Sequence, residues 1–226
     1  MKQETILEKR RRQSDRIRQM TVAAMLSAIT ALLVFTPIGM IQLPPPLLAV
    51  TTVHVPVLIA ALVEGWWVGG FVGLVFGVCS LIRAWESGAV GLTLFFRNPL
   101  ISVLPRILFP LGAYAVYLLL KKLFRDGQVR DKIAAGIAAA VGAVLNTVLV
   151  LGTLYLIYGA KLTEIVNNMI STGETEAHYL DQAGAWLVAA VGLPNGIAEA
   201  IVAAVLVPMI KVAVDAVTKR KGRKQA

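Results

Sequence analysis

The sequence predicts an all-α integral membrane protein, a six-transmembrane-helix bundle with both termini in the cytoplasm. Three observations carry this. Of the 226 residues, 57% are hydrophobic and only 15% charged, against about 25% charged in an ordinary soluble domain; mean hydropathy is +0.73. Apolar runs recur over 20–38, 53–63, 66–84, 99–120, 133–159 and 184–210, near the length of about 20 residues that a 30 Å hydrocarbon core requires. Basic residues gather in three places that share one side of the membrane when the spans number six.

The first run follows Lys2, Lys9, Arg10, Arg11, Arg12, Arg16 and Arg18. It is long enough to span, and its end, "FTPIGM", lacks a small-residue cleavage pattern, so it is the first helix and not a signal peptide. The second run is short. It begins after Pro44, Pro45 and Pro46 and stops at Glu64-Gly65, so it tilts, lies at an interface, or continues through that break. The third run carries Gly65, Gly69, Gly73 and Gly77 on every fourth residue, a face that allows close helix approach in lipid. Lys121, Lys122, Arg125, Arg130 and Lys132 separate the fourth and fifth runs; Lys211, Lys219, Arg220, Lys221, Arg223 and Lys224 follow the sixth. Eighteen of the 22 Lys and Arg residues are thus on the side predicted to be cytoplasmic. Residues 1–19 form a basic cytoplasmic segment, 20–212 the membrane domain and 213–226 a basic cytoplasmic tail. The net charge of +9 and pI near 9.9 follow from this topology and require no nucleic acid.

The four remaining basic residues run against the topology rule. Arg83, Arg97 and Arg106 surround the outward connection between the third and fourth helices, and Lys161 starts a long outer loop over 160–183. Arg106 lies roughly 12 Å into its helix from Asn98. Glu199 lies near the middle of the sixth helix, with Asn195 one turn before it. Ionisable groups at such depth are costly unless they are paired or face water. Two readings fit: a structural Arg106–Glu199 ion pair, or residues lining an outward-open pocket. Thr51, Thr52, His54, Trp85, Asn98 and Asn146 fall at the same end of the bundle. The three prolines stiffen the chain leading into the second helix, as expected of a strand across a cavity mouth.

Function is narrowed by what is missing. The sequence holds no phosphate-binding loop, no H-E-x-x-H, no G-x-S-x-G and no Cys/His cluster. With two histidines, His54 and His178, and no evident nucleophile-base pair, an enzyme is not expected, nor is a metal or cofactor. Cys79 is the only cysteine, which excludes an intrachain disulfide. A solute-binding membrane protein that draws energy from partners fits best.

The stretch "TPIGMIQLPPPLLAVTTVHVPVLIAALVEGWWVGGFVGLVFGVCSLIRA", with "NPLISVLPRILFPLGAYAVYLLL" and "GAVLNTVLVLGTLYLIYG", resembles the substrate-binding S component of energy-coupling factor (ECF) vitamin transporters. The resemblance covers about residues 20–212. It implies a six-helix bundle with an outer vitamin site, bound to a transmembrane scaffold and two ATPases, with the S component toppling to release its vitamin inside. It also implies that a small-residue face of the first helix contacts the scaffold, matched here by Ala24 and Ala28, with Ser27 and Ala31 as a parallel pair. "TTVHVP" most resembles pantothenate-type members, with carriers of hydroxymethylpyrimidine, pyridoxine, riboflavin and folate as alternatives, or a stand-alone small-solute carrier.

Overall fold

The computed structural model describes residues 6–41, 50–86, 91–124, 127–173, 175 and 177–223; the proline collar at 44–46 lies outside them. The described residues are helical throughout, apart from short turns and a two-residue strand pair, Met40–Ile41 (β1) with Val50–Thr51 (β2), antiparallel with Met40 opposite Thr51. Five helical stretches are long and apolar enough to cross a membrane, and a sixth apolar helix is much shorter.

Helix α1 runs from Ile6 to Phe35 without interruption, so the basic N-terminal segment continues the first span as helix. Helix α2 covers His54–Glu64, only 11 residues, roughly 16 Å. The second apolar run is therefore a half-depth helix and not a full span. It is buried from His54 to Leu62 because it sits in the middle of the bundle, packed on α1, on α3 (Trp66–Glu86), on α5 (Leu104–Leu123) and on α8 (Leu193–Arg223). Gly65 turns the chain between α2 and α3 with φ 100°, a conformation that a side chain would strain.

Helix α3 supplies a ruler for the membrane. Trp66 and Trp67 are exposed at its start and Trp85 at its end, as for aromatic side chains at the two interfaces. The interval is roughly 28 Å, close to the 30 Å hydrocarbon core. Measured from Gly65, the first residue of α2 is near the mid-plane.

The fourth run is broken at Val103 into α4 (Pro99–Ser102) and α5. Helix α6 extends from Gln128 to Ser171 with a kink at Tyr158 (φ −123°, ψ 19°). This corrects the expected outer loop over 160–183, because its first half continues α6 beyond the kink. The sixth run starts as α7 (Ala183–Trp186), widens into a π-helical stretch over Leu187–Gly192 and continues as α8. Pro194 has no N–H to give the helix, and one residue on the Asn195 side chain donates back to the Val191 carbonyl at 3.0 Å.

At the other end of these helices a polar clamp joins α5, α6 and α8. Lys211 Nζ lies 2.6 Å from Asp131 Oδ2 and 3.0 Å from Asp215 Oδ2, and Tyr117 donates its hydroxyl to Asp131 Oδ1 at 2.6 Å. The Lys211 side chain is only 9% exposed. Lys211→Met should lower the unfolding free energy by about 1–3 kcal/mol, the cost of stranding a charged partner, measured by denaturation in detergent; an unchanged midpoint would show that the clamp carries no stability.

Candidate functional site

The site is built where α2 begins. Its small buried packing residues fix the relative heights of the helices. At Gly142 on α6 a Cβ would lie 2.6 Å from Leu58 Cδ2 and 2.7 Å from Ala113 Cβ, so Leu58, Ala113 and Gly142 are level. One turn further along each helix places His54 level with Asn146. Gly196 of α8 lies against Thr147, which brings Asn195 to the same height. Gly73 of α3 packs directly on the Arg106 carbonyl and sets Arg106 roughly 12 Å above Gly65. His54, Arg106, Asn146, Asn195 and Glu199 are all buried, none more than 7% exposed.

The sequence left the partnership of Arg106 and Glu199 open, and the structure decides against the ion pair. Glu199 Oε1 accepts from the Thr51 backbone N–H at 3.1 Å and from Thr51 Oγ1 at 2.7 Å, which pins β2 to α8. His54 Nε2 is 3.3 Å from the Glu199 carbonyl oxygen. Arg106 donates through Nη1 to the Ile101 carbonyl at 2.8 Å, and its guanidinium lies over Phe76 and Phe96, 5.4 and 5.1 Å from their ring centroids. Both carboxylate and guanidinium thus find local partners, because Pro105, four residues after Ile101, has no N–H to give the Ile101 carbonyl and β2 brings an N–H to Glu199. Glu199 still exerts a Coulombic pull on Arg106.

Four buried polar atoms remain without a hydrogen-bond partner at this level: His54 Nδ1, Arg106 Nε, Asn146 Oδ1 and Asn195 Oδ1. Buried polar atoms are nearly always paired, so a cluster of four marks a place where something else bonds. The set contains one cationic donor, two amide acceptors and an imidazole nitrogen, suited to an anionic group at one end and hydroxyl or N–H donors at the other.

The other residues singled out from the sequence sit elsewhere. Arg83 donates to the Val34 carbonyl at the end of α1. Arg97 donates to the Ala84 carbonyl at 3.1 Å and covers the Trp85 ring at 5.1 Å. Asn98 caps α4 by accepting from the Leu100 N–H at 3.0 Å and reaches the Tyr158 hydroxyl at 3.3 Å. These contacts hold Arg83, Trp85, Arg97 and Asn98 around the α3–α4 connection, apart from the buried polar cluster. Thr52 is held in the strand pair, its N–H donating to the Gly39 carbonyl at 3.0 Å. Phe76 and Phe96, which flank Arg106, were not foreseen; Phe76 next to the glycine face was the available signal. An apolar groove of about 480 Å³ between α6 and α7–α8, lined by Val148, Leu151, Val188 and Ile197 among others, is separate from the polar cluster.

A family model for the substrate-specific component of ECF transporters matches residues 18–211. The chain belongs to that family. It is a multi-pass protein of the cell membrane, with the matched region running from within α1 to within α8. The chain is also similar to the "Pantothenic acid transporter PanT" of Lactococcus lactis subsp. cremoris (strain MG1363), 28% identical over 186 residues, which cover 76% of this chain and 79% of that protein.

The backbone contact at Gly73 links packing to the site. A Cβ there would collide with the Arg106 carbonyl and stand 3.3 Å from Pro110 Cγ. Gly73→Ala should cost about 1–3 kcal/mol of stability, as for other overpacked interiors, and displace Arg106. Thermal unfolding checks the first effect; retention of full stability would mean that α3 and α5 separate without penalty.

Proposed function

We propose that the protein captures pantothenate from outside the cell and delivers it as the vitamin-binding subunit of an ECF importer energised by partner ATPases. The observation that carries this reading is Arg106, buried near the mid-plane between two phenyl rings, with Nε free of any partner. A guanidinium in that setting accepts a carboxylate through charge-assisted bonds. Pantothenate carries one carboxylate, an amide N–H and two hydroxyls, which match Arg106 and the two orphan amide oxygens of Asn146 and Asn195. The relative named above supports this choice of vitamin.

In this reading Arg106, Asn146, Asn195, His54 and Glu199 form the site proper, with Thr51 held by Glu199. Thr52, Arg83, Trp85, Arg97 and Asn98 form its outer approach. The topology follows from the basic asymmetry: both termini and residues 121–132 are cytoplasmic, and the α3–α4 connection is outside. Residues 20–212 are the membrane domain, flanked by basic cytoplasmic segments at 1–19 and 213–226. No chemical step is assigned to the protein, and none is needed to bind and hand over a vitamin.

Arg106→Gln should weaken pantothenate binding by about 1.5–3 kcal/mol, the range for a hydrogen bond to a charged group, in calorimetric titrations of the purified protein. The alcohol analogue of pantothenate, which has no carboxylate, should bind the variant and the parent alike. An equal loss for both ligands would remove the carboxylate from Arg106 and with it this reading.

The partner face is on α1. Ala24 and Ala28 are exposed on its outer side, whereas Ala23, Thr30 and Val34 face the bundle. An exposed small-residue pair permits close approach of another helix, here the transmembrane scaffold that holds the two ATPases. Replacing both alanines by Trp should abolish assembly with that scaffold and transport, while vitamin binding by the isolated protein persists. Loss of binding in the isolated variant would instead make the face part of the internal packing.

A further inference from the structure

Glu199 holds the start of α2 twice, once through its side chain and once through its main chain. Its carboxylate takes both donors of Thr51, and its carbonyl oxygen lies 3.3 Å from His54 Nε2. A carbonyl can only accept, and it has a second lone pair even where its own helix uses the first. The nitrogen that carries the proton in this contact is therefore Nε2. A half-turn of the ring would put carbon Cε1 against that oxygen and lose the bond, so the contact fixes the orientation of the imidazole as well. The ring is 0% exposed. The Thr51 carbonyl is also near it but makes no hydrogen bond to Nδ1.

The tautomer decides what the orphan atom can do. With the proton on Nε2, Nδ1 of the neutral imidazole carries a lone pair and can only accept. It joins Asn146 Oδ1 and Asn195 Oδ1, two buried acceptors at the same height that also lack a partner. Asn195 is oriented in the same way as the ring, because its Nδ2 donates to the Val191 carbonyl. The cluster thus calls for three donors beside the anion assigned to Arg106. Pantothenate has three, one amide N–H and two hydroxyls. Two amide oxygens alone would leave one of them buried and unpaired, which is costly.

We propose that His54 Nδ1 accepts a hydrogen bond from the third donor of the bound vitamin, a hydroxyl or the amide N–H, and so sets specificity for a ligand with one carboxylate and three donors. The inference rests on the vitamin assigned above. It divides one ring between two tasks: Nε2 ties α2 to α8, and Nδ1 reads the ligand.

Two amide substitutions separate these tasks. In His54→Asn the side-chain oxygen takes the place of Nδ1, but the amide is too short to reach the Glu199 carbonyl. In His54→Gln the amide N–H takes the place of Nε2, and no acceptor stands at Nδ1. Calorimetric titration of the purified protein with pantothenate should show affinity about 5- to 150-fold weaker in His54→Gln, the range for a buried donor left unpaired, and largely restored in His54→Asn. Thermal unfolding without ligand should give the opposite order, with His54→Gln the more stable. Equal or reversed affinities would overturn the proposal, since a purely structural histidine follows the unfolding order. Three analogues that each lack one donor, the two deoxy compounds and the N-methyl amide, identify the group read. One of them should lose no further affinity on His54→Gln while the other two do; a further loss with all three would also overturn it.

Nitrogen NMR of the ligand-free protein with labelled histidine, assigned with His178→Gln because His178 is the other histidine, should show an unprotonated Nδ1 at neutral pH. A proton on Nδ1, alone or in an imidazolium drawn by the Glu199 carboxylate, would overturn the proposal before any vitamin is added. Failure of the carboxylate assignment is distinct from this. The alcohol analogue of pantothenate keeps the three donors, so His54→Gln should weaken it by the same factor whether or not Arg106 takes the carboxylate.

Discussion

A guanidinium held near mid-membrane depth with no carboxylate against it is the constraint on which the rest of this fold depends. An arginine at the centre of a membrane helix costs about 2.5–3.5 kcal/mol even after relaxation. The chain lowers that cost locally. Pro105 has no N–H and so leaves the Ile101 carbonyl free to accept from Arg106, and Phe76 and Phe96 offer ring faces to the remaining charge. Gly73 brings the α3 backbone so close that the Arg106 carbonyl is fixed in place. Glycine face, Pro105 and phenyl rings, three separate features of the sequence, thus serve one side chain.

Helix α2 follows from the same constraint. A full-length second span would fill the bundle centre with apolar side chains up to the outer surface. Ending it at His54 leaves that upper half to β2, whose Thr51 reaches Glu199, and leaves the polar ends of α5, α6 and α8 facing one another. The price is a bundle that loses one helix in its outer half. At the opposite end the same three helices are joined by Lys211, Asp131 and Tyr117. The polar cluster therefore lies between a clamped end of the bundle and a strand pair that Thr51 ties to Glu199 by two hydrogen bonds.

Much of this was legible in the residues. Apolar runs, basic asymmetry and glycine spacing locate the spans, and polar residues in lipid-length helices flag Arg106, Asn146, Asn195 and Glu199. What one chain could not express was pairing across helices. Sequence distance places Arg106 and Glu199 at similar depth, but it does not reveal that Thr51 arrives first at the carboxylate or that Ile101 arrives first at the guanidinium. Those partners come from a strand pair of two residues per strand and from a carbonyl that Pro105 leaves free, features that leave no periodic signal. The same limit explains the outer loop: the pattern of α6 weakens near Tyr158, yet the helix resumes after the kink because Leu162 and Val166 bury themselves against Trp186 and Leu187.

The two clusters of buried apolar residues divide the work along the chain. The larger one unites α1, α2, α3, α5, α6 and α8 around Leu58 and Phe109. The smaller one, around Leu154, Leu162 and Trp186, straddles the kink and includes Phe95; Tyr158 packs on it through the Phe95 ring and bonds to Asn98. The smaller cluster also holds one of the buried amides, since Asn195 donates to the carbonyl of its member Val191. The exposed alanines Ala24 and Ala28 are on a helix that belongs to the larger cluster. On this arrangement the exposed small-residue face of α1 and the helices around the Tyr158 kink are carried by different packed units. Either can then change its contacts without unpacking the other.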